Sequence, residues 1–313
     1  MRSRKLGKTG LTVSEISFGA WQLGNRQDFE PMDDGAAVRL VAEALDQGIN
    51  LFDTAPHYAG SASERLLGEA LQGRRGEVVL VTKFGHTLEG SKDFGVERFW
   101  DSLHASLRRL RTDHVDVLLL HDPDTSMYDG RDPLWAALAA AREQGKIGHY
   151  GASLDLAAEA VSCLTHTDSD VLEIFFNILH QDVRRAFPLI AERNVGTIVK
   201  IPLDSGWLTG RYGRTSRFSG VRARWSPEQI AARADLVDQL ARMFPGERSL
   251  AGFALAYILS YPEVSCVIPG VRTRGQLAQN LQASGRSLTG DERRRLEEFW
   301  NEVTDGGSRL LPW

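Results

Sequence analysis

The stretch Val115-Asp116-Val117-Leu118-Leu119-Leu120-His121 decides the fold class, together with the two segments that follow it. It is short, apolar on both faces and followed by turn-forming residues, which is typical of a parallel strand covered on each side. The next segment, Pro133–Gln144, has the period of a helix, and Ile147–Ser153 repeats the strand pattern. These residues therefore predict one strand–helix–strand unit of a parallel sheet.

The same unit recurs along the whole chain. Strands are predicted at Ile16–Ala20, Ile49–Thr54, Val78–Phe84, Val115–His121, Ile147–Ser153, Leu172–Ile178, Thr197–Leu203 and Ser265–Gly270. Helices are predicted at Asp34–Gln47, Ala62–Leu71, Val96–Leu110, Pro133–Gln144, Leu154–Thr165, Asp182–Arg193, Leu250–Ser260 and Arg274–Ala283. A doubly wound open sheet would also alternate in this way, but eight evenly spaced units favour a closed (β/α)8 barrel, the TIM barrel.

Two additions flank the repeating units. Arg4–Gly7 and Leu11–Ser14 predict an N-terminal β-hairpin that closes the barrel floor, and Asp291–Phe299 predicts an extra C-terminal helix. Residues 211–226 are polar and are predicted to form a long loop after the seventh strand. Because no linker, low-complexity tract or short repeat divides the chain, residues 1–313 are predicted to form a single barrel domain.

Composition excludes several classes of function. The 313 residues carry 37 basic and 41 acidic side chains without a basic cluster, which argues against nucleic acid as a partner. No apolar stretch approaches the roughly 18 residues that a membrane span needs, and we expect a cytoplasmic protein without a membrane partner. Cys163 and Cys266 provide neither a disulfide framework nor metal-ligand spacing.

Polar residues follow three consecutive predicted strands, where the active site of a barrel is built. Asp53 and Tyr58 follow the second strand, Lys83 the third and His121 the fourth. We expect Asp53 to pair with the Lys83 ammonium, the ammonium to lower the pKa of the Tyr58 phenol, and neutral His121 to hold a substrate oxygen. Each residue alone also fits a structural role: a cap, a buried pair, a packing ring or a core histidine. Their joint placement favours catalysis.

The loops after the seventh and eighth strands are candidates for binding phosphate, as in many barrels. They contain small residues, and Arg211, Arg272 and Arg274 add positive charge. Ordinary turns with solvated arginines would produce the same pattern. The Gly-x-Gly-x-x-Gly fingerprint of other dinucleotide-binding proteins is absent, so a cofactor must be held in another way.

The sequence resembles the aldo-keto reductases. The resemblance extends from Leu6-Gly7-Lys8-Thr9-Gly10-Leu11 to Asn280 and is densest in Phe52-Asp53-Thr54-Ala55-Pro56-His57-Tyr58 and in Ser63–Leu71. It implies a catalytic tetrad of Asp53, Tyr58, Lys83 and His121. It further implies an oxidoreductase that reduces an aldehyde or ketone, a small-molecule carbonyl substrate, with hydride from NADPH and with Tyr58 as general acid.

The same resemblance implies how the cofactor is held. Ser153 and Asn177 would hold the carboxamide, Arg272 and Gln276 the ribose phosphate, and Asn280 the adenine. The implied cofactor-binding residues are Trp21, Asp53, Ser153, Asn177, Pro202, Leu203, Ser205, Gly206, Leu208, Arg211, Gly270, Arg272, Gln276 and Asn280. The chain departs from the family pattern at Lys200, where an aromatic residue usually precedes the strand-seven loop, and at Gln279, which is usually Glu. The choice of NADP over NAD rests on Arg272, helped by Arg274.

Three alternatives compete with the carbonyl reductase. The first is an NAD(P)-dependent sugar or alcohol dehydrogenase that uses the same site in reverse, and the second is a nucleotide-binding regulatory subunit. The third is a metal-dependent hydrolase using His57, His121 and His180, but no His-x-His pair ends the first strand, and no metal is expected. The substrate pocket is predicted to be aromatic, lined by Trp21, Tyr58, Phe84, Trp207 and Trp313.

Overall fold

A computed structural model describes residues 1–247 and 249–312. An antiparallel hairpin of β1 (Ser3–Lys5) and β2 (Thr12–Ser14) precedes eight parallel strands that pair in chain order. The parallel strands are β3 (Phe18–Gly19), β4 (Leu51–Asp53), β5 (Val79–Phe84), β6 (Val115–His121), β7 (Ile147–Leu154), β8 (Val171–Phe175), β9 (Gly196–Lys200) and β10 (Cys266–Val267).

Backbone hydrogen bonds join the first and last parallel strands and close the sheet. The Ser17 amide donates to the Val267 carbonyl at 2.9 Å, and the Val267 amide donates to the Glu15 carbonyl at 3.0 Å. The fold is therefore a (β/α)8 barrel with an N-terminal hairpin, which confirms the fold prediction. Leu6, between the two hairpin strands, is fully buried against Val79 and Val117 inside the barrel, so the hairpin closes the floor as expected.

Helices surround the barrel. They are α1 (Asp34–Asp46), α2 (Ala62–Ala70), α3 (Val96–Leu110), α4 (Pro133–Glu143), α5 (Ala157–His166), α6 (Phe187–Glu192), α7 (Pro227–Met243), α8 (Leu250–Leu259), α9 (Arg274–Leu281) and α10 (Gly290–Thr304). The last of these is the expected extra C-terminal helix. In the described part of the chain, no helix has both the length and the apolar character that crossing a lipid bilayer requires.

Helix α7 is absent from the sequence prediction. It begins with a capping box, in which the Ser226 hydroxyl accepts from the Gln229 amide and the Gln229 side chain accepts from the Ser226 amide, and Pro227 occupies the first turn. This combination is a recognised signal for a helix start. The predicted loop at 211–226 is also not wholly irregular, because Gly220–Arg224 forms 3₁₀ turns.

Three predicted helices differ from the structure by more than two residues or in their division, the first being α10, which extends to Thr304 rather than ending at Phe299. Leu154 continues strand β7, so α5 begins at Ala157 rather than at Leu154. The predicted helix at Asp182–Arg193 is divided into a 3₁₀ segment, Asp182–Ala186, and α6. Pro188 lies in the first turn of α6, where its missing amide costs no helical hydrogen bond. The α-helix therefore begins at Phe187, the residue before the proline.

Candidate active site

A buried lysine lies at the centre of the barrel mouth. Lys83, at the end of β5, places its Nζ 2.7 Å from both carboxylate oxygens of Asp53 on β4 and 3.1 Å from the Thr54 carbonyl. Its second charged neighbour is Glu173 on β8, with Oε2 at 3.3 Å. The Lys83–Asp53 pair expected from the sequence is present, whereas the contribution of Glu173 was not foreseen. A lone carboxylate between Leu172 and Ile174 of a buried strand is the signal that could have revealed it.

Two carboxyl groups share the Lys83 ammonium, and this arrangement shifts the pKa values of Lys83 and Asp53. Burial alone would lower the pKa of Lys83, but the charges of Asp53 and Glu173 outweigh it and raise that pKa above its usual value. Burial and the neighbouring Glu173 raise the pKa of Asp53 well above its usual range, against the opposing effect of Lys83. The ammonium therefore stays charged while the two carboxyls compete for it.

Tyr58 lies in the loop after β4, facing this cluster. Its ring centroid is 5.2 Å from the Lys83 Nζ and 5.9 Å from the centroid of the His121 ring. Burial raises the pKa of the phenol above its usual value, and the Lys83 ammonium offsets only part of that rise. The expectation that Lys83 lowers this pKa overall is therefore wrong in its net direction, because desolvation of the phenolate outweighs the attraction of one cation that is already paired.

Three imidazoles surround the opening beside Tyr58. The centroids of His57, His86 and His121 lie 4.6 to 4.9 Å apart, and the rings of His86 and His121 are stacked. Burial lowers the pKa of His57 to about 4 and the pKa of His121 well below its usual value, so both are neutral at pH 7, as expected for His121. His180 is not part of this group, because it contacts Asp204 and Arg233 below the strand-seven loop.

A second buried lysine, Lys200, stands where the family resemblance implied an aromatic ring. The Lys200 Nζ lies 2.6 Å from Asp122 Oδ1, 2.9 Å from Asp155 Oδ1 and 2.9 Å from the Ser153 hydroxyl oxygen. Burial alone would lower the pKa of Lys200, but these carboxylates raise it above the usual value. The Lys200 ammonium, at the end of β9, is thus held by side chains on or just after β6 and β7. A charged group rather than an aromatic ring lies at this position of the barrel mouth.

One cavity of about 1020 Å³ opens over this site and continues along the strand-seven and strand-eight loops. Eleven of the fourteen residues expected to bind a cofactor line it: Trp21, Asp53, Pro202, Leu203, Ser205, Gly206, Arg211, Gly270, Arg272, Gln276 and Asn280. The three others do not. The Leu208 side chain is buried in the core, the Ser153 hydroxyl bonds Lys200, and the Asn177 amide bonds the Ile201 carbonyl and the Leu179 amide.

The strand-seven loop lines the cavity through Leu203, Ser205 and Gly206. Asp204, Ser205 and Gly206 all have left-handed backbone conformations, with φ of 50°, 52° and 99°. The Asp204 and Gly206 amides donate to the Ile201 and Leu203 carbonyls at 3.1 and 2.9 Å, so these two amides are satisfied within the loop. In the strand-eight loop, a Cβ on Gly270 would lie 1.7 Å from Gln22 Nε2, so a larger residue would require the Gln22 side chain to move.

A basic lining distinguishes the outer part of the cavity. It contains Arg26, Arg211, Arg217, Arg222, Arg224 and Arg272, of which only Arg211 and Arg272 were expected. Arg222 is half-buried, donates to the Ser205 carbonyl at 3.1 Å, and packs over the rings of Trp21 and Phe29. Within residues 1–247 and 249–312, no carboxylate pairs with Arg211, Arg217, Arg222 or Arg272 at ion-pair distance. Such a lining suits a ligand that carries several negative charges.

Comparison with known proteins completes this picture. The aldo/keto reductase family matches residues 15–301, nearly the whole chain. The chain belongs to the aldo/keto reductase family. The L-galactose dehydrogenase of Arabidopsis thaliana is 32% identical over 289 residues, which cover 90% of this chain and 87% of that protein. A probable voltage-gated potassium channel subunit beta from the same plant is 31% identical over 310 residues, which cover 90% and 91%.

The fold of this aldo/keto reductase also matches solved structures. The aldo-keto reductase AKR11C1 from Bacillus halodurans, in its holo form, superimposes with a TM-score of 0.81 and 29% identity, covering 96% of each chain. The family shows that the protein is an oxidoreductase that binds a nicotinamide cofactor.

The cavity of this aldo/keto reductase fits such a cofactor. Arg272 Nε and Asn280 Nδ2 are buried donors that lack a hydrogen-bond partner in the described chain. Gln22 Oε1 is a buried acceptor that also lacks a partner there. Buried polar atoms left unpaired cost about 1–3 kcal/mol each, so a polar ligand at these positions would stabilise the protein. These atoms could hold the phosphates and the adenine of a dinucleotide.

The expected aromatic pocket of this oxidoreductase is only partly present. Trp21 and Tyr58 line the cavity. Phe84 instead packs edge-on against Phe94 and Phe99, and Trp207 is fully buried with Trp225 under the strand-seven loop. Both were expected in the pocket because they follow strands, but their side chains point into the core. Trp313 lies outside the described residues. The inner end of the cavity is bordered by Tyr58, His121 and Lys200 and by the carboxyl groups of Asp53, Asp122 and Glu173.

Proposed function

We propose that this protein reduces an aldehyde or ketone to an alcohol with NADPH, in the cytoplasm. One observation carries the proposal: the buried Lys83 ammonium, held by Asp53 and Glu173, lies beside the Tyr58 phenol at the inner end of a cavity whose outer part is basic. Both cysteines are free and buried, as suits a reducing compartment.

The cofactor supplies the hydride, and the protein supplies the proton and the charge. The raised pKa of Tyr58 keeps the phenol protonated until the carbonyl oxygen gains negative charge. The adjacent Lys83 ammonium then stabilises the phenolate that remains after the proton is transferred. His121 is neutral, and a neutral imidazole N–H can donate to the same substrate oxygen without taking the proton from Tyr58.

The choice of NADPH rests on the unpaired arginines. The additional phosphate of this cofactor carries nearly two negative charges, and Arg272 lies just before the N-terminus of α9. Its Nε lacks a partner in the described chain, while Arg274 is engaged in a surface pair with Glu43 at 2.6 Å. We therefore assign the phosphate to Arg272, with Arg222 as its nearest cationic support across Phe29.

A carbonyl panel assayed with NADPH and NADH tests the proposal. We expect turnover with NADPH and a loss of about 10²–10⁴-fold in kcat for Tyr58→Phe, the typical contribution of a positioned proton donor. Cofactor affinity should change little. Tyr150→Phe is the matched control, because Tyr150 lies over Arg142, away from the cavity lining. A Tyr58→Phe variant that kept more than half the wild-type rate would overturn the assignment.

A sugar or alcohol dehydrogenase is the second candidate. The polar border formed by His121, Lys200 and the neighbouring carboxyl groups suits a hydroxylated substrate, and the relative from Arabidopsis thaliana is named L-galactose dehydrogenase. The same four residues would act in reverse, with Tyr58 accepting the proton of the alcohol. The preferred direction of the reaction distinguishes the two candidates. Faster oxidation of sugars with NAD⁺ than reduction of any carbonyl with NADPH would favour the dehydrogenase.

A further inference from the structure

Three histidines from different elements meet at the barrel mouth. His57 follows β4, His86 follows β5 and His121 ends β6. One ring nitrogen from each lies within 4.8 Å of the corresponding nitrogens of the other two. From the sequence, His180 was the third possible metal ligand beside His57 and His121. In the structure, His86 and not His180 lies with these two residues.

Each of these rings has a buried nitrogen without a partner. His57 Nδ1, His86 Nε2 and His121 Nδ1 are shielded from solvent and accept or donate no hydrogen bond within the described residues. A buried polar atom left in this condition costs about 1–3 kcal/mol, and three such atoms within one small volume are unusual. The proposed proton transfer from Tyr58 requires at most His121, so it leaves the arrangement of His57 and His86 unexplained.

We propose that His57, His86 and His121 bind one divalent transition-metal ion of the zinc class. Imidazole nitrogen is a preferred ligand of Zn²⁺, and sites with three protein ligands retain a fourth position for water or another small ligand.

Binding requires a small contraction of the group. Tetrahedral coordination with Zn–N bonds of about 2.0–2.1 Å places the ligand nitrogens roughly 3.4 Å apart. The rings of His86 and His121 are stacked at an interplanar angle of 6°, so one of them must turn to share an ion. His86 is the ring that turns, because it lies in a partly exposed segment beyond β5, whereas His121 is part of a strand.

The ammonium groups of Lys83 and Lys200 oppose a dication, and the carboxyl groups that pair with them reduce that repulsion. Two ammonium groups near the histidines are outnumbered by the carboxyl groups that pair with them: Asp53 and Glu173 at Lys83, and Asp122 and Asp155 at Lys200. Asp122 Oδ2 also lies 3.9 Å from His121 Nε2. A carboxylate on the far side of a ligating imidazole commonly orients the ring and increases its basicity.

The consequence for activity rests on the proposed function. A metal ion held by His121 withdraws that side chain from the substrate oxygen, and it occupies the opening next to Tyr58. We therefore assign the site an inhibitory role, with the metal-free protein as the active form.

Binding is tested on tag-free protein stripped with a chelator, using Co²⁺ for its visible absorption and Zn²⁺ in equilibrium dialysis. We expect one ion per chain, and an affinity reduced at least about 10-fold in His86→Ala, since even the loss of an outer-shell partner has that effect. His57→Phe serves as a second variant if His86→Ala does not fold. His166→Ala, at the end of exposed helix α5, is the matched control and should bind like the wild type. Absence of stoichiometric binding, or equal binding by His86→Ala, would overturn the site.

The inhibitory role is tested by the ratio of rates with and without Zn²⁺, measured separately for each variant. Zn²⁺ should inhibit the wild type and the His166→Ala control, and inhibit His86→Ala at least about 10-fold less effectively. Stoichiometric binding without inhibition would overturn the inhibitory role. Because the dialysis assay needs no turnover, a protein that binds Zn²⁺ but reduces no carbonyl would contradict the proposed function and not the metal site.

Discussion

Lys83 illustrates how burial selects the partners of a single charge. Its side chain is fully buried, so its ammonium needs opposite charge within hydrogen-bonding distance. Asp53 could be anticipated, because it ends the neighbouring strand. Glu173 could not, because β8 is distant in sequence and approaches Lys83 only across the barrel interior. The same reasoning applies to Asp204 and Arg233, a second buried pair, beneath the strand-seven loop.

We predict that Asp204→Asn lowers the free energy of unfolding by about 3 kcal/mol at pH 7, because it leaves the buried Arg233 guanidinium without its counter-charge. Although burial raises the pKa of Asp204, the charges of Arg233 and His180 outweigh it and lower that pKa below its usual value. The unfolded chain therefore binds this proton first as the pH falls.

The wild type should accordingly lose this stability as the pH falls below about 4, and the variant should show a weaker dependence there. Urea unfolding between pH 3 and pH 7 measures both effects. Asp235→Asn, which breaks an exposed pair with Arg214, is the control and should cost less than about 1 kcal/mol. Equal losses in the two variants would show that the Asp204 pair does not stabilise the fold.

At the scale of elements, the helices are held against the barrel by close backbone contacts as well as by apolar side chains. Gly68 in α2 faces the C-terminal end of α3, where an added Cβ would lie 2.3 Å from the Arg109 carbonyl oxygen. The adjacent Glu64 is fully buried and accepts from Thr82 at 2.7 Å and from Arg109 at 2.6 Å. These contacts fix α2, and with it the loop that carries Tyr58.

We predict that Gly68→Ala destabilises the protein by about 1–3 kcal/mol, because backbone atoms of α3 must move to admit the methyl group. Gly76→Ala is the matched control, since a Cβ there meets no atom within 4 Å and the backbone is not left-handed. Thermal unfolding of both variants measures the difference. A Gly68→Ala protein as stable as Gly76→Ala would mean that α2 and α3 are free to separate.

For the whole molecule, the barrel brings together loops that are far apart in sequence to form one cavity. Arg272, after β10, packs over Phe29 in the loop after β3 and donates to the Glu30 carbonyl. The Val221 amide, after β9, donates to Asp28 at 2.7 Å. Residues of three loops thus line the basic part of the cavity.

We predict that Arg272→Ala weakens NADPH binding by about 10- to 150-fold and NADH binding by much less, because a charge-assisted hydrogen bond contributes roughly 1.5–3 kcal/mol. Fluorescence titration with each cofactor measures the two affinities. Arg274→Ala is the comparison variant, because its partner is Glu43, and it should retain most of the affinity for NADPH. Preference of the wild type for NADH, or unchanged binding by the Arg272→Ala, Arg274→Ala double variant, would remove the basis for assigning NADP.

The sequence by itself determined the barrel and the convergence of Asp53, Tyr58, Lys83 and His121. Strand and helix periods are local properties, and a closed parallel barrel brings all of its strand ends to one mouth regardless of detail. Helix α7 was not predicted, although the capping pattern at Ser226 is a local signal that indicates its start.

Only the tertiary structure decided which side chains face one another across that mouth. Contacts such as Glu173 with Lys83, Asp155 with Lys200, and His86 with His121 depend on barrel closure and on side-chain direction, neither of which a local pattern contains. The net direction of the Tyr58 pKa shift was also decided only by the tertiary structure. It is set by how far the folded protein removes the phenol from water, and the sequence indicated only that a cation would lie nearby.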